Sequence, residues 1–382
     1  MTNHFGRKYP LVAGMIPQAA AFTLLACAEN KTYLYISRFL SGVSGGVLFV
    51  LVPIYISEIS EKSNRGMLGS LLGVFYNVGI IIGYVICTYM PFYSVPYVAL
   101  GILALFLLFI IFPESPQYLL LKQRDAEAEK SLRFFRCFSQ DDEVKREFEY
   151  LKSSVAATST KTSITIQDFK PATTRKALFI TYIILCGRNM SGYFPLLNYT
   201  VSIFEQAGTE IDPHISAIIV AVIQLAGNIV SAYYTDKSGR RILLIPSLVG
   251  VGLCLTTIGI YFYLSELGYN LSAISWLPVA SLSISMFLAA SVQIIPIYIT
   301  SELLPVKIRS SVISVFMTTN WPLSFIMLQF YSPLADLLGV YSCMWIFGGW
   351  CFFEAIFAYF LLPESKGKSH EEIVLALEGK VL

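Results

Sequence analysis

The charged residues of this sequence gather in a few short motifs. Asp236-Lys237-Ser238-Gly239-Arg240-Arg241 sets one anion against three cations around a glycine. Glu58 precedes Arg65 by seven residues, as Glu302 precedes Arg309, and Pro113-Glu114-Ser115 recurs as Pro363-Glu364-Ser365. The chemistry open to such groups is reversible ion pairing at a solvent edge. Half-exposed pairs are worth about 0.2–1 kcal/mol each, weak for a staple but suited to a latch between two states. No nucleophile stands with a base, the seven cysteines are scattered, and His4, His214 and His370 fall in loops or near the ends. Neither an enzyme nor a metal nor a cofactor is therefore expected. Arg188 differs from the other charges because it lies inside an apolar run. A guanidinium near a helix centre costs about 2.5–3.5 kcal/mol on insertion scales, so it must face water, an anion or a carbonyl.

Long apolar runs set the position of these motifs. Of 382 residues, 55% are hydrophobic and 14% charged, with a mean hydropathy of +0.64, whereas soluble chains carry about 25% charged residues. Ten runs, at 10–28, 33–57, 66–90, 93–112, 178–204, 215–234, 242–264, 274–300, 311–334 and 341–362, are each long enough to cross a bilayer core of about 30 Å as a helix. The expected fold class is an all-α membrane protein with ten transmembrane helices, surrounded by a lipid bilayer. Nearly all Lys and Arg fall in alternate loops, which the positive-inside rule assigns to the cytoplasm together with both chain ends. A net charge of +2 carries no nucleic-acid footprint. Residues 1–113 are expected to form a four-helix bundle and 177–363 a six-helix bundle. Between them, 114–176 reads as a cytoplasmic insert of short amphipathic helices and a Ser/Thr-rich linker, and 364–382 as a cytoplasmic tail.

The motifs repeat in order. Asn3-x-x-Gly6-Arg7-Lys8 matches Asp236-x-x-Gly239-Arg240-Arg241, and in each half Glu-x6-Arg and then Pro-Glu-Ser follow. Basic turns alone account for the charge but not for the order. Two repeated bundles about a site near the bilayer midplane are the layout of carriers. Anions and cations at neighbouring helix ends would pair when the bundles close and separate when they open. Asn3 in place of Asp236 predicts a looser latch in the first half. The second half has two spans before its motif while the first begins at it, so the repeat predicts a twelve-helix fold of which helices three to twelve are visible.

At the level of motifs the chain resembles the sugar-porter family of the major facilitator superfamily, in its trehalose-transporter-like branch. The resemblance rests on Ser37-Arg38-Phe39-Leu40-Ser41-Gly42, on Pro53-Ile54-Tyr55-Ile56-Ser57-Glu58 with Arg65-Gly66, and on Pro113-Glu114-Ser115-Pro116, Asn320-Trp321 and Pro363-Glu364-Ser365. It implies a cytoplasmic gate network of Glu58, Arg65, Glu114, Asp236, Arg240, Arg241, Glu302, Arg309 and Glu364. It also implies a substrate pocket holding Arg188, Asn189, Ser191, Gly192, Gln224, Asn320 and Trp321. The pocket departs from the family pattern: Arg188 and Asn189 replace two glutamines, and Ile297 replaces a stacking tryptophan. Two readings of Arg188 stand side by side, one binding an anionic or strongly polar substrate group and the other snorkelling or meeting backbone. The implied activity is facilitated diffusion of trehalose, a hexose or a polyol across the plasma membrane. The alternative is a sugar sensor or a truncated relative that does not transport.

Overall fold

The structure is a computed structural model and describes residues 6–61, 64–136, 141–158, 165–364, 366, 372 and 375. Its α-helices, in chain order, are α1 (Lys8–Ala26), α2 (Lys31–Ile59), α3 (Arg65–Tyr89), α4 (Val95–Phe106), α5 (Pro116–Leu121), α6 (Asp125–Phe135), α7 (Asp141–Thr158), α8 (Ala172–Met190), α9 (Tyr193–Asn198), α10 (Thr200–Ala207), α11 (Pro213–Ser238), α12 (Arg240–Glu266), α13 (Leu277–Leu303), α14 (Val306–Leu338) and α15 (Val340–Leu361). Among the described residues 9 helices are long and apolar enough to cross a membrane: α1 to α3, α4 with its 3-10 extension, and α11 to α15.

The tenth expected span, 178–204, is not one helix. It is divided into α8, α9 and α10, with the first break at Ser191-Gly192. Two features of the sequence account for the difference. The first turn of α8 holds Thr173, Thr174, Arg175 and Lys176, leaving too short an apolar stretch before Met190. Gly192 then turns into the left-handed region at φ +78°, where a Cβ would also run into the Phe347 ring. Pro195, in the first turn of α9, has no N–H to lose there.

Contacts divide the chain into two compact units. The first comprises Met1–Phe75 and Val85–Thr162. Its membrane helices meet over a small core of Leu11, Leu51 and Tyr55, against which Phe109 and Phe135 pack. The short helices α5, α6 and α7 have a core of their own, built from Leu119, Leu120, Ala128, Leu132, Val144 and Phe148. Arg136 joins it to the end of α2: Nη1 donates to Ile59 O at 2.9 Å while Nε and Nη2 donate to Glu147 at 2.9 Å.

The second unit comprises Tyr76–Tyr84 and Ser163–Leu382. Leu244, Leu248 and Leu255 lie on one face of α12 at helical spacing and are fully buried, as are Cys343, Met344 and Cys351 of α15. The two backbones come so close that a Cβ on Gly252 would lie 3.2 Å from Gly348 O. Small residues at such a crossing allow van der Waals packing, which holds helices together where lipid is as apolar as leucine. The middle of α3 joins this unit through Tyr84, whose hydroxyl donates to Leu197 O at 2.5 Å. The start of α11 is capped by a side chain. Asp212 Oδ1 accepts from His214 N at 2.9 Å and Ile215 N at 3.2 Å, with Pro213 at the first helical position.

Candidate functional site

The repeated motifs build the same cluster twice. In the first unit the turn at Gly6 presents the backbone N–H groups of Arg7 and Lys8 to the Glu114 carboxylate at 3.0 to 3.2 Å. The Arg7 guanidinium donates to Glu58, Nε at 3.1 Å and Nη2 at 2.9 Å, and Ser115 Oγ donates to Glu58 as well. In the second unit Gly239 presents the N–H groups of Arg240 and Arg241 to Glu364, both at 3.1 Å. The Arg240 guanidinium donates to Glu302 from Nε and from Nη2, each at 3.0 Å. Gly6 at φ +84° and Gly239 at φ +102° hold equivalent positions, and a Cβ at either would meet the carboxylate of Glu114 or Glu364. Each helix start thus binds an anion with its free N–H groups while its first arginine reaches a second carboxylate.

Arg7 is the member that motif reading missed. Its signal was present, since it holds the place of Arg240 in the repeat. The first copy is also the better shielded, with side chains of Arg7 and Glu58 9% and 10% exposed against 15% and 26% for Arg240 and Glu302. That runs against a looser first latch, although Asn3 itself lies outside the described residues. The partners seen for Glu58, Glu114, Glu302 and Glu364 all belong to the same unit as the carboxylate. Arg309 caps Leu304 O from Nε at 3.2 Å and Nη2 at 3.1 Å, and Arg241 donates to Tyr359 O at 2.5 Å while lying over that tyrosine ring. The side chains of Arg65 and Asp236 lie outside what the structure describes.

A second polar group forms where α8 breaks, within the second unit. Asn189 Nδ2 donates to Asn320 Oδ1 at 2.6 Å and Asn320 O at 2.9 Å. Arg188 and Gln293 exchange bonds, Arg188 Nη1 reaching Gln293 O at 3.5 Å and Gln293 Nε2 donating to Arg188 O at 3.1 Å. Turning the Asn320 amide over lets its oxygen accept from Arg188 Nη2 at 3.3 Å and its nitrogen donate to Leu185 O at 3.1 Å, and the 2.6 Å contact then requires the Asn189 amide to turn as well, with its oxygen accepting from Asn320. Ser191 Oγ caps the broken helix at Arg188 O, 2.9 Å away. Gln224 lies across from Tyr193 and donates to its hydroxyl at 2.6 Å. Trp321 is half exposed, its ring centroid 6.1 Å from that of Phe194.

The structure therefore brings Arg188, Asn189, Ser191 and Asn320 together, with Gln224 reached through Tyr193. Gln293 and Tyr193 are the members that sequence reading did not single out. Two buried polar atoms lack a partner here among the described residues in either amide orientation, Arg188 Nε and Gln224 Oε1. Such atoms carry a desolvation cost unless a further group meets them. Beyond this site the α8 surface borders an apolar groove of about 560 Å³ between Phe169, Tyr182, Val315 and Phe316.

A helix-end cluster built twice, apolar membrane-length helices and a polar centre at a broken helix are the features of an all-α membrane protein of the major facilitator fold. The chain belongs to the sugar (and other) transporter family, whose sequence model matches residues 1–376. It is 31% identical over 383 residues to the facilitated trehalose transporter Tret1 of Drosophila mojavensis, covering 99% of this chain and 44% of that protein. The Tret1 proteins of Aedes aegypti and Polypedilum vanderplanki are each 32% identical, over 47% and 75% of their lengths. The chain thus spans less than half of the first curated relatives it matches. In fold it is similar to the inward open xylose transporter XylE of E. coli, with a TM-score of 0.78 at 21% identity, covering 100% of this chain and 84% of that one. A partially occluded inward open form of XylE gives a TM-score of 0.75 at 18% identity.

Proposed function

We propose that this integral membrane protein carries a sugar or a related small polyhydroxylated solute by alternating access, down the solute's own gradient. The observation that carries the proposal is the polar centre at the α8 break. There, amides, a hydroxyl and a guanidinium converge among apolar helices, and two of their buried atoms, Arg188 Nε and Gln224 Oε1, have no partner among the described residues. Convergent donors and acceptors in an apolar setting are what a solute rich in hydroxyls requires. In this reading Arg188, Asn189, Ser191, Gly192, Gln224, Asn320 and Trp321 face the solute, joined by Gln293 and Tyr193. The clusters of Arg7 with Glu58 and Glu114, and of Arg240 with Glu302 and Glu364, fix the helix ends on which each unit turns. Residues 114–176 form a cytoplasmic insert, 364–382 a cytoplasmic tail, and the membrane is the plasma membrane with both ends in the cytoplasm.

The test is uptake of radiolabelled trehalose, glucose and a polyol into proteoliposomes containing the full chain. Saturable uptake of one of them, competed by its unlabelled form, supports the proposal. Uptake equal to that of empty liposomes for all three contradicts it.

A further inference from the structure

We infer that the solute of this site carries an oxyanion on its polyhydroxylated frame, and that Arg188 receives it. The inference rests on the reading of the α8 break as a solute site and names the chemical class of that solute.

Three arginines are buried among the described residues: Arg7 and Arg136, each 7% exposed, and Arg188, 8% exposed. The first two are compensated by carboxylates. Arg7 meets Glu58 at 2.9 Å, and Arg136 meets Glu147 at 2.9 Å and Glu61 at 3.5 Å. Arg188 is held only by neutral oxygens, the Gln293 carbonyl at 3.5 Å and the Asn320 amide at 3.3 Å, and its Nε has no partner among the described residues. The phenols of Tyr76 and Tyr193 lie near it. The buried carboxyl of Glu354 lies against Gly187, one residue away along α8, and neither of its oxygens has a hydrogen-bond partner among the described residues. Buried charges are ordinarily paired, and the other two arginines buried among the described residues are paired, so in this reading the solute brings the counter-charge for Arg188.

The form of the group selects the ligand. A guanidinium offers a planar fork of N–H donors that matches a carboxylate or phosphate through two parallel bonds. The open Nε lies on the edge of that fork. Around it, Asn189, Gln224 and Asn320 supply the amides that bind neutral hydroxyls, so the site suits a sugar acid or a sugar phosphate better than an inorganic anion.

Isothermal titration of the purified full chain with D-glucuronate, D-glucose 6-phosphate and D-glucose tests the inference, the two anions separating carboxylate from phosphate. At least one anion is expected to bind about tenfold or more tightly than glucose, the scale of one charge-assisted bidentate contact. Arg188→Gln should bring that ratio down to about one, and Arg188→Lys, which keeps the charge but not the fork, should restore part of it. No preference for either anion in the unmodified chain, or a preference unchanged in Arg188→Gln, overturns the inference. If Arg188→Gln does not fold, the ratio in the unmodified chain decides alone. Failure of the carrier reading appears separately, as anion binding without saturable flux of glucuronate or glucose in proteoliposomes.

Discussion

Glu58→Gln should destabilise the protein more than Glu302→Gln, although the two residues hold equivalent places in the repeat. Each substitution keeps an acceptor for its arginine but removes the charge, so the difference lies in what surrounds the pair. Around Glu58 both partners are about nine-tenths shielded, the guanidinium donates from Nε and Nη2, and Ser115 Oγ donates as well. Breaking a buried pair costs about 3–5 kcal/mol, and allowing for the residual exposure here gives about 2–4 kcal/mol. Around Glu302 the carboxylate side chain is 26% exposed and water can replace the lost charge, so about 1–2 kcal/mol is expected. For a chain of this size about 2 °C of melting temperature corresponds to each kcal/mol, so Glu58→Gln should fall by about 4–8 °C and Glu302→Gln by about half as much. Scanning fluorimetry of the purified variants in one detergent, at one protein concentration, measures both. Equal losses, or a larger loss for Glu302→Gln, would refute the argument that shielding sets the strength of the two clusters.

Gly192→Ala should cost about 1–3 kcal/mol through backbone strain at φ +78°, and shrinking Phe347 to leucine should not restore it, because the strain outlasts the collision. The same fluorimetry checks both variants. Glu354 is fully buried in α15, and neither carboxyl oxygen has a hydrogen-bond partner among the described residues. Glu354→Met, of similar length, should therefore raise stability by about 1–3 kcal/mol, and a lower melting temperature would contradict this. In the 3-10 turn Ile166–Phe169, a hydrogen bond from Lys307 and one from the Thr165 backbone hold the Asp168 carboxyl below its ordinary value of 3.8. A lowered carboxyl contributes above its ordinary value and loses that contribution as pH falls through the lowered one. Protection of residues 165–170 from hydrogen exchange, taken relative to the intrinsic rate at each pH, should therefore fall below about pH 3.8 in the native chain, and Asp168→Asn should show that lower protection already at pH 7.

Much of this was legible in the sequence, for reasons visible at particular residues. Length and hydropathy located nine spans because a bilayer imposes one length on every crossing helix. The tenth run is present as three successive helices rather than one, because its apolar residues continue through a break at Ser191-Gly192 that composition does not register. The two helix-end clusters were readable from order and spacing, since Gly-Arg-Lys and Gly-Arg-Arg place two N–H groups and one guanidinium identically. Arg7 is marked in the sequence only by the repeat, because the Glu-x6-Arg spacing points to a different arginine, which in the second copy is Arg309 and caps Leu304 O. The polar centre was half legible. Arg188, Asn189 and Ser191 are consecutive or nearly so, and Asn320 follows from the motif, but Gln293 lies 105 residues from Arg188 and meets it only through packing of α13 on α8. The difference in shielding between the two clusters was not legible at all, because it depends on Ser115 meeting Glu58 and Tyr118 covering Arg7 rather than on the charges themselves.

The central claim is that this chain exposes one solute site alternately to the two sides of a membrane. Counterflow tests it most directly. Proteoliposomes containing the full chain are loaded with unlabelled solute, either glucose or glucuronate, and diluted into a trace of the labelled form. Unlabelled solute inside competes for the inward-facing site and slows exit of the label, so the label should accumulate transiently above its equilibrium level and then decay. A monotonic approach to equilibrium, the same with and without internal solute, would contradict the claim.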